Sequence, residues 1–188
     1  MKDNIIRILE ESIEVKKKVI ETQLENIIKA VNTISDCFKN KGKIILFGNG
    51  GSAADCQHIA AELVGRFKKE RRAYPATALT TDSSILTAIG NDYNFNNIFS
   101  RQIEALGNRG DVAIGISTSG NSQNIIEAII TANNKGLKTI TLTGNGGGKL
   151  KTLSNISIEV PSTNTPRIQE THIAIAHIIC ELVENTLT

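Results

Sequence analysis

The chain of 188 residues is 40% hydrophobic and 21% charged, which is the size and composition of a single globular domain with one buried core. Its 21 Lys and Arg residues nearly balance 19 Asp and Glu residues, and a formal net charge of +2 predicts no attraction to nucleic acid or to a membrane. Three cysteines without a CxxC pair argue against a disulfide framework, and no apolar run reaches the roughly 18 residues of a membrane span. We therefore expect a soluble, cytoplasmic protein without a signal peptide, and no nucleic-acid or membrane partner.

The N-terminal part of the chain is predicted to be helical. Apolar residues recur every three or four positions from Asn4 to about Asn40, a spacing that predicts two helices or one bent helix. This segment precedes the first strand, so it is not a crossover connection and must bury its apolar face on the domain or on another subunit. We therefore divide the single domain into an N-terminal oligomerisation segment, residues 1–40, and an α/β core, residues 41–188.

From Lys43 onwards, short apolar runs alternate with segments of helical periodicity. Strands are predicted at Lys43–Phe47, Ala76–Leu79, Asp111–Ile116, Lys138–Leu142 and Ile156–Val160. Helices are predicted at about Ser52–Arg66, Ser83–Gly90, Asn96–Leu106, Ser122–Asn134 and Pro166–Glu184. Such alternation requires crossover connections, so the fold class is α/β, a doubly wound three-layer sandwich with a mostly parallel sheet and added N-terminal helices.

Two glycine-rich loops, Gly48–Ala53 and Ser117–Ser122, each lie between a predicted strand and a helix. Ligands bind at the carboxyl ends of strands in such sheets, and a helix start offers unpaired N–H groups to an anion. The second loop adds four hydroxyl side chains, those of Ser117, Thr118, Ser119 and Ser122. It contains no lysine, so it is not a Walker loop, and a phosphate monoester suits it better than a nucleoside triphosphate. The alternative is an N-capped turn, for which one hydroxyl would suffice.

The first loop also fits a dinucleotide fingerprint, G-x-G-x-x-A, through Gly48, Gly50 and Ala53. That fingerprint requires an acidic residue at the end of the second strand, roughly 20 residues further on. Asp82 is the nearest candidate and lies beyond that spacing. A dinucleotide also leaves the second loop unexplained.

The candidate acid–base groups lie on two helices. His58 and Glu62 are four residues apart and share a helix face, while Glu170, His172 and His177 lie on the last helix. A carboxylate that takes a proton from carbon, together with an imidazole that moves a proton on oxygen, suits the interconversion of an aldose and a ketose. The alternatives are a surface pair on the first helix and packed core histidines on the last.

A basic cluster follows the first of these helices: Arg66, Lys68, Lys69, Arg71 and Arg72. One interpretation is a contact with nucleic acid. The other is a solvated helix end, where cations are attracted to the unpaired carbonyl groups.

Five short segments, in order along nearly the whole chain, resemble the phosphoheptose isomerases. They are Gly48–Ala53, Gly90–Asp92, Gly115–Ser122, Thr141–Gly144 and Arg167–Glu170. The resemblance implies a flavodoxin-like SIS domain that forms a homotetramer with active sites at its subunit interfaces. It also implies the conversion of sedoheptulose 7-phosphate to D-glycero-D-manno-heptose 7-phosphate through an enediolate. This reaction is the first step towards the heptose precursors of bacterial lipopolysaccharide, capsule or other glycans.

The resemblance also implies roles for individual residues. Glu62 matches the catalytic base and His177 the second acid–base group. Residues that match substrate contacts are Asn49, Gly50, Gly51, Ser52, Glu62, Asn91, Asp92 and Gln169, with Ser117, Thr118, Ser119 and Ser122 as the phosphate cradle.

Some members of that family hold one zinc ion per subunit, with ligands that match His58, Glu62, Gln169 and His177. These donor types are acceptable to zinc. Eight residues separate Gln169 from His177, which is roughly 12 Å of rise on a straight helix. Either the ligands come from two chains, or the last helix is irregular at Gln169.

Two other functions within the same superfamily are possible. A non-catalytic SIS protein that binds the DnaA replication initiator shares both loops, and Ala78–Asp82 and Glu184–Thr188 resemble it too. That protein lacks a histidine at the position of His177, so Glu62 together with His177 favours the enzyme. A sugar-phosphate-sensing regulator would carry a DNA-binding module, which the helical segment 1–40 does not resemble.

Overall fold

A computed structural model describes all 188 residues, with seven α-helices, five β-strands and one short 3₁₀-helix. The helices are α1 (Lys2–Lys39), α2 (Gly51–Val64), α3 (Ser83–Asp92), α4 (Ser100–Leu106), α5 (Gln123–Asn134), α6 (Leu150–Leu153) and α7 (Thr165–Leu187). The strands are β1 (Ile44–Gly48), β2 (Ala76–Ala78), β3 (Val112–Ser117), β4 (Lys138–Thr143) and β5 (Ile156–Glu159). None of the helices combines the length and the hydropathy that a bilayer span requires.

The five strands form one parallel sheet in the order β2-β1-β3-β4-β5. In the central pair, Ile44 of β1 lies beside Val112 of β3, and the register continues to Gly48 beside Ile116. The predicted α/β fold class is therefore confirmed, and the sheet is parallel throughout. This order reverses between β1 and β3, which creates a crevice where ligands bind in doubly wound folds.

The residues of each central strand alternate between two cores. Ile44 and Leu46 face a core that also contains residues of α1, α2 and α7. Ile45 and Phe47 face the opposite core, which contains residues of α4, α5 and α6. This alternation follows from the period of two residues in a strand, and it explains why both faces of the strand are apolar. The domain is thus a three-layer sandwich.

The N-terminal segment is one continuous helix of 38 residues rather than two helices. Its sequence contains neither glycine nor proline, so nothing interrupts the backbone hydrogen bonds. It packs against α7 and β5, and in its second half Ile27, Val31 and Ile34 are buried.

Two further differences concern short elements. The predicted helix Asn96–Leu106 is divided into a 3₁₀ turn, Phe95–Asn97, and α4. The Asn94 side chain accepts a hydrogen bond from the N–H of Asn96 and starts a separate turn there. Helix α6 was not predicted, because four residues are too few to show a helical period.

Candidate active site

The two glycine-rich loops meet at the crevice between β1 and β3. The first loop is linked to the helix that follows the second loop by a reciprocal pair of amides, in which Asn49 donates to Asn124 at 2.9 Å and Asn124 donates to Asn49 at 2.8 Å. Asn124 is buried in the first turn of α5, and its Oδ1 also accepts from the N–H of Ile125. The side chain of Asn49 therefore joins the first loop to the start of α5, a role that its own loop sequence did not reveal.

The hydroxyl groups of the second loop are not used as helix caps. Ser122 is the N-cap residue of α5, yet its side chain makes no capping hydrogen bond. It lies instead 3.0 Å from the buried hydroxyl of Ser117, and either group can donate. The Ser119 side chain is exposed and accepts from the N–H of Asn121. The hydroxyls thus remain near the start of α5, where they can donate to an anion.

A third glycine-rich segment, Gly144–Gly148, packs against the loop Ser117–Ser122, which we call the hydroxyl loop. The N–H of Gly144 donates to the carbonyl of Thr118, and the N–H of Leu150 donates to the carbonyl of Gly120. The contact between the backbones is so close that a side chain on Gly120, whose φ is +65°, would collide with the carbonyl oxygen of Gly147. The run of glycines was the sequence signal for this packing, but their partner loop could not be read from it.

A polar pocket of about 260 Å³ opens beside the same loop. It is lined by Thr118, Ser119, Asn145, Ser162, Thr163, Thr165 and Ile168. The sequence analysis did not single out the three hydroxyl residues at positions 162, 163 and 165, which lie just before α7 or in its first turn. The pocket has the size and the hydrogen-bonding groups to hold part of a hydroxylated ligand.

Three of the predicted acid–base and metal-binding side chains come together between α2 and α7. His58 Nε2 lies 3.1 Å from Glu62 Oε1 and 3.4 Å from His177 Nε2, and one donor atom from each residue fits within 4.8 Å. The two imidazole rings meet edge to face, with their centroids 4.9 Å apart. His177 thus joins the His58–Glu62 pair to form a group of three side chains, which we call the His–Glu–His cluster.

Two neighbours shape this cluster. The ring of Phe67 lies against His177, with centroids 5.5 Å apart. Burial raises the pKa of the Asp55 carboxyl, one turn before His58 on α2, and the nearby His58 and His177 lower it only in part.

His172 belongs to the core. It is fully buried, and its Nε2 lies 3.0 Å from the carbonyl oxygen of Thr143 at the end of β4. Burial lowers its pKa to about 4, against the opposing effect of that hydrogen bond. The imidazole is therefore neutral at pH 7 and donates to Thr143, which leaves Nδ1 without a partner.

Gln169 lies away from the cluster in its own chain. A methyl group on Gly51, at the start of α2, would stand 3.2 Å from the Gln169 amide nitrogen, so this side chain lies at the first loop. Helix α7 runs without interruption from Thr165 to Leu187, so the roughly 12 Å between Gln169 and His177 is not shortened by an irregular helix.

Asn91 and Asp92 lie at the end of α3, an element without a buried residue. The Asn91 amide donates to the Asp92 carboxylate at 2.9 Å, and no hydrogen bond joins either side chain to the two loops.

The basic cluster is not one uniform solvated surface. Arg66 and Lys68 have side chains that are 61% and 59% exposed, but the Arg71 side chain is only 3% exposed. The guanidinium group of Arg71 donates to the carbonyls of Glu62 and Leu63 at the end of α2. The prediction that cations lie at the carbonyl end of α2 is thus confirmed. The prediction that this basic cluster is solvated is wrong for Arg71, which is buried.

Comparison with known proteins agrees with this geometry. The family model described as the SIS domain matches residues 9–144. The chain is 55% identical over 184 residues to the phosphoheptose isomerase of Aquifex aeolicus, which covers 98% of this chain and 96% of the relative. It is 54% identical over 188 residues to that of Aliarcobacter butzleri, with full coverage of both. The structure of the phosphoheptose isomerase of Neisseria gonorrhoeae matches 98% of each chain, with a TM-score of 0.93 and 43% identity.

Proposed function

The chain belongs to the phosphoheptose isomerases of the SIS domain family and is an aldose–ketose isomerase, and we propose that it converts sedoheptulose 7-phosphate to D-glycero-D-manno-heptose 7-phosphate. The main support for the proposal is that Glu62 lies beside the imidazoles of His58 and His177, with its Oε1 3.1 Å from His58 Nε2. The chain is 55% and 54% identical to two proteins named phosphoheptose isomerase. This similarity does not favour the alternative, a non-catalytic protein that binds the DnaA initiator.

In this proposal Glu62 is the base. Isomerisation requires the transfer of a proton between two adjacent carbon atoms, and the Glu62 side chain is 24% exposed and therefore accessible to a substrate. Glu62 follows Gly51 by eleven residues of α2, roughly 16 Å of rise, so in this proposal its substrate lies at an interface with a second subunit rather than in the crevice of its own chain. His177 is the second acid–base group, which moves a proton between the substrate oxygens or assists ring opening. The enediolate that forms between the two steps needs hydrogen-bond donors or a cation close to its oxygens.

The remaining substrate contacts are proposed from the loops. The phosphate is held by Ser117, Thr118, Ser119 and Ser122 with the N–H groups at the start of α5. The sugar chain contacts Asn49, Gly50, Gly51, Ser52, Asn91, Asp92 and Gln169. The Asn49 side chain already pairs with Asn124, so we expect its substrate contact to use the backbone or the remaining amide hydrogen.

We propose one zinc ion per subunit at the His–Glu–His cluster. Ligand atoms around a tetrahedral zinc with bonds of about 2.0–2.1 Å stand roughly 3.3 Å apart. The separations of 3.1 Å and 3.4 Å from His58 are close to that value, and all three donor atoms lie within 4.8 Å of one another, so the donor types and their spacing suit one shared ion. Zinc, when bound, supplies positive charge that stabilises an enediolate oxygen. Because α7 is continuous between Gln169 and His177, the fourth ligand that the family implies, Gln169, would come from a second subunit.

A homotetramer with interfacial active sites is supported by the surface of the N-terminal segment. Helix α1 exposes Ile5, Leu9, Ile13, Ile20, Leu24 and Ile28, each at least 49% accessible. Several of them line an apolar groove of about 240 Å³ between α1 and α7. An apolar surface of this kind on an isolated subunit is expected to be covered by another copy. We place the enzyme in the cytoplasm, at the first step towards heptose precursors of lipopolysaccharide, capsule or other glycans.

The test is a direct assay. The purified protein is mixed with sedoheptulose 7-phosphate, with and without added zinc, and heptose 7-phosphate is followed by mass spectrometry with the next kinase as a coupling enzyme. We expect product with the wild type and none with His177→Ala. A folded tetramer that forms no product under either condition would overturn the proposal, and a pull-down against the replication initiator would then test the alternative.

A further inference from the structure

A buried ion pair between Arg71 and Glu184 lies near the His–Glu–His cluster. Neither residue is among the proposed substrate or metal contacts. Arg71, in the loop after α2, and Glu184, near the end of α7, are joined at 2.9 Å, and their side chains are 3% and 2% exposed. Glu184 lies two turns beyond His177 on the same helix.

Glu184 holds the loop that follows α2. Its two carboxylate oxygens accept hydrogen bonds from the backbone N–H groups of Phe67, Lys68 and Lys69 at 2.9–3.2 Å. Burial by itself raises the pKa of this carboxyl, but these three N–H groups and the Arg71 guanidinium outweigh it, so the pKa lies below its ordinary value. Glu184 is therefore ionised and fully hydrogen-bonded.

Arg71 holds the end of α2. Its Nη2 donates to the carbonyl of Glu62 at 2.9 Å, and its Nη1 donates to the carbonyl of Leu63 at 3.0 Å. The guanidinium carbon lies 4.1 Å from the centre of the Tyr74 ring, which fixes the plane of the group. The same side chain thus contacts the backbone of the proposed base and the carboxylate of Glu184.

Two routes lead from the ion pair to the cluster. One runs through the Glu62 carbonyl to the last turn of α2. The other runs from Glu184 through the backbone of Phe67 to its ring, which contacts His177. Each route ends on one of the two helices that supply the cluster.

Stability alone is a weak explanation for this arrangement. Removing two charges from water is costly, and a buried ion pair often contributes no more than a well-packed apolar pair would. A fully hydrogen-bonded pair does, however, fix the distance between the elements that carry it, and outer contacts of this kind orient the ligands of metal sites.

We propose that Arg71 and Glu184 are positioning residues that set the spacing of α2 and α7 and thereby hold Glu62 and His58 opposite His177. We call this pair the Arg71–Glu184 clamp. The inference rests on the proposed function for its effect on turnover, but the geometry of the cluster can be measured without substrate.

The test compares Glu184→Gln with a matched control, Glu181→Gln. Glu181 lies on the same helix and pairs with Lys68 of the same loop, but the two side chains are 41% and 59% exposed. For Glu184→Gln we expect zinc affinity, measured by competition with a chromophoric chelator, to fall about 10- to 100-fold. We expect kcat to fall at least tenfold while KM stays within about threefold, because the hydroxyl loop, Ser117–Ser122, does not contact the clamp. For Glu181→Gln, all three quantities should stay within twofold of the wild type.

Imidazole NMR gives a reading that does not depend on the reaction. The chain has three histidines, so the signals of His58 and His177 should shift in Glu184→Gln, while the buried His172 serves as a reference. A wild type that fails to isomerise the substrate would remove the proposed function, yet the zinc affinity and these signals would still decide whether the clamp positions the cluster.

The proposal is overturned if Glu184→Gln lowers the melting temperature but keeps zinc affinity, kcat and imidazole signals at the level of Glu181→Gln. Should Glu184→Gln fail to fold, Arg71→Lys decides, because it keeps the positive charge beside Glu184 but loses the guanidinium fork that donates to the carbonyls of Glu62 and Leu63. Reduced zinc affinity and shifted His58 and His177 signals in that variant support the proposal, and wild-type values contradict it.

Discussion

The two halves of the candidate site are held in place by different means. The hydroxyl loop, Ser117–Ser122, continues directly from β3 and is fixed by backbone hydrogen bonds to Gly144 and Leu150. The His–Glu–His cluster is assembled from the side chains of two helices and is supported by the Arg71–Glu184 clamp.

This difference predicts how each half responds to substitution. A loop built from backbone contacts tolerates the loss of a side chain but not the addition of one where two backbones meet. When one side chain of the cluster is changed, the domain should still fold, but the catalytic activity should be lost. Substitutions that separate these responses test the comparison directly.

The largest effect is expected for Glu62→Gln. The substitution preserves the shape of the side chain and removes the proposed base, so kcat should fall about 10²- to 10⁴-fold. The assay for heptose 7-phosphate measures this loss, and size-exclusion chromatography with light scattering checks assembly. Loss of assembly in this variant would assign Glu62 a structural role instead.

Gly120→Ala should disrupt the hydroxyl loop, the other half of the site, by destabilising the folded domain. The residue has a φ of +65°, and its added Cβ would collide with the backbone of Gly147. We expect a loss of about 3–5 kcal/mol in the free energy of unfolding, measured by urea titration. Gly146→Ala is the matched control, because Gly146 has a φ of +82° but no neighbour within 4 Å of an added Cβ. Equal losses in the two variants would mean that backbone conformation, and not loop packing, limits this position.

His172 connects the two halves, because it lies on α7 and contacts the carbonyl of Thr143 beside the hydroxyl loop. Burial lowers its pKa from 6.5 to about 4, so the unfolded chain takes up a proton first as the pH falls. The contribution of the neutral His172 to the free energy of unfolding is fully present above pH 6.5, and about 2–3 kcal/mol of it is lost by pH 4.

Urea unfolding at pH 7, 5.5 and 4.5, at one protein concentration, measures this loss. His172→Gln keeps an N–H donor for Thr143 but does not titrate, so its stability should change less over the same range. Parallel pH dependence in the two proteins would show that other groups account for the acid sensitivity.

The same comparison explains what could be predicted from the sequence. Buried parallel strands are continuous apolar runs, so the predicted bounds of Lys43–Phe47 agree with β1 to within one residue. The hydroxyl loop was recognisable because four hydroxyls occur within six residues. The His58–Glu62 pair followed from helical spacing, whereas its meeting with His177 was implied only by resemblance to a family.

The clamp escaped prediction for a physical reason. Arg71 is one of five neighbouring basic residues, and nothing in their local sequence distinguishes the one that is buried. Its partner, Glu184, lies at the other end of the domain in sequence. A contact between distant segments leaves no local period or spacing, so only the folded chain reveals it.

The smallest expected effect is that of Ser119→Ala, which tests whether the hydroxyl loop holds the phosphate. The Ser119 side chain is exposed and accepts only one local hydrogen bond, from the N–H of Asn121, so the loop should keep its backbone contacts. Loss of one hydrogen bond to a charged group costs about 1.5–3 kcal/mol, which corresponds to a rise in KM of about 10- to 100-fold with kcat retained. Inorganic phosphate, used as a competitive inhibitor, should lose affinity as well. An unchanged KM would move the phosphate away from this loop, and a loss of kcat without a change in KM would mean that the two halves of the site are not independent.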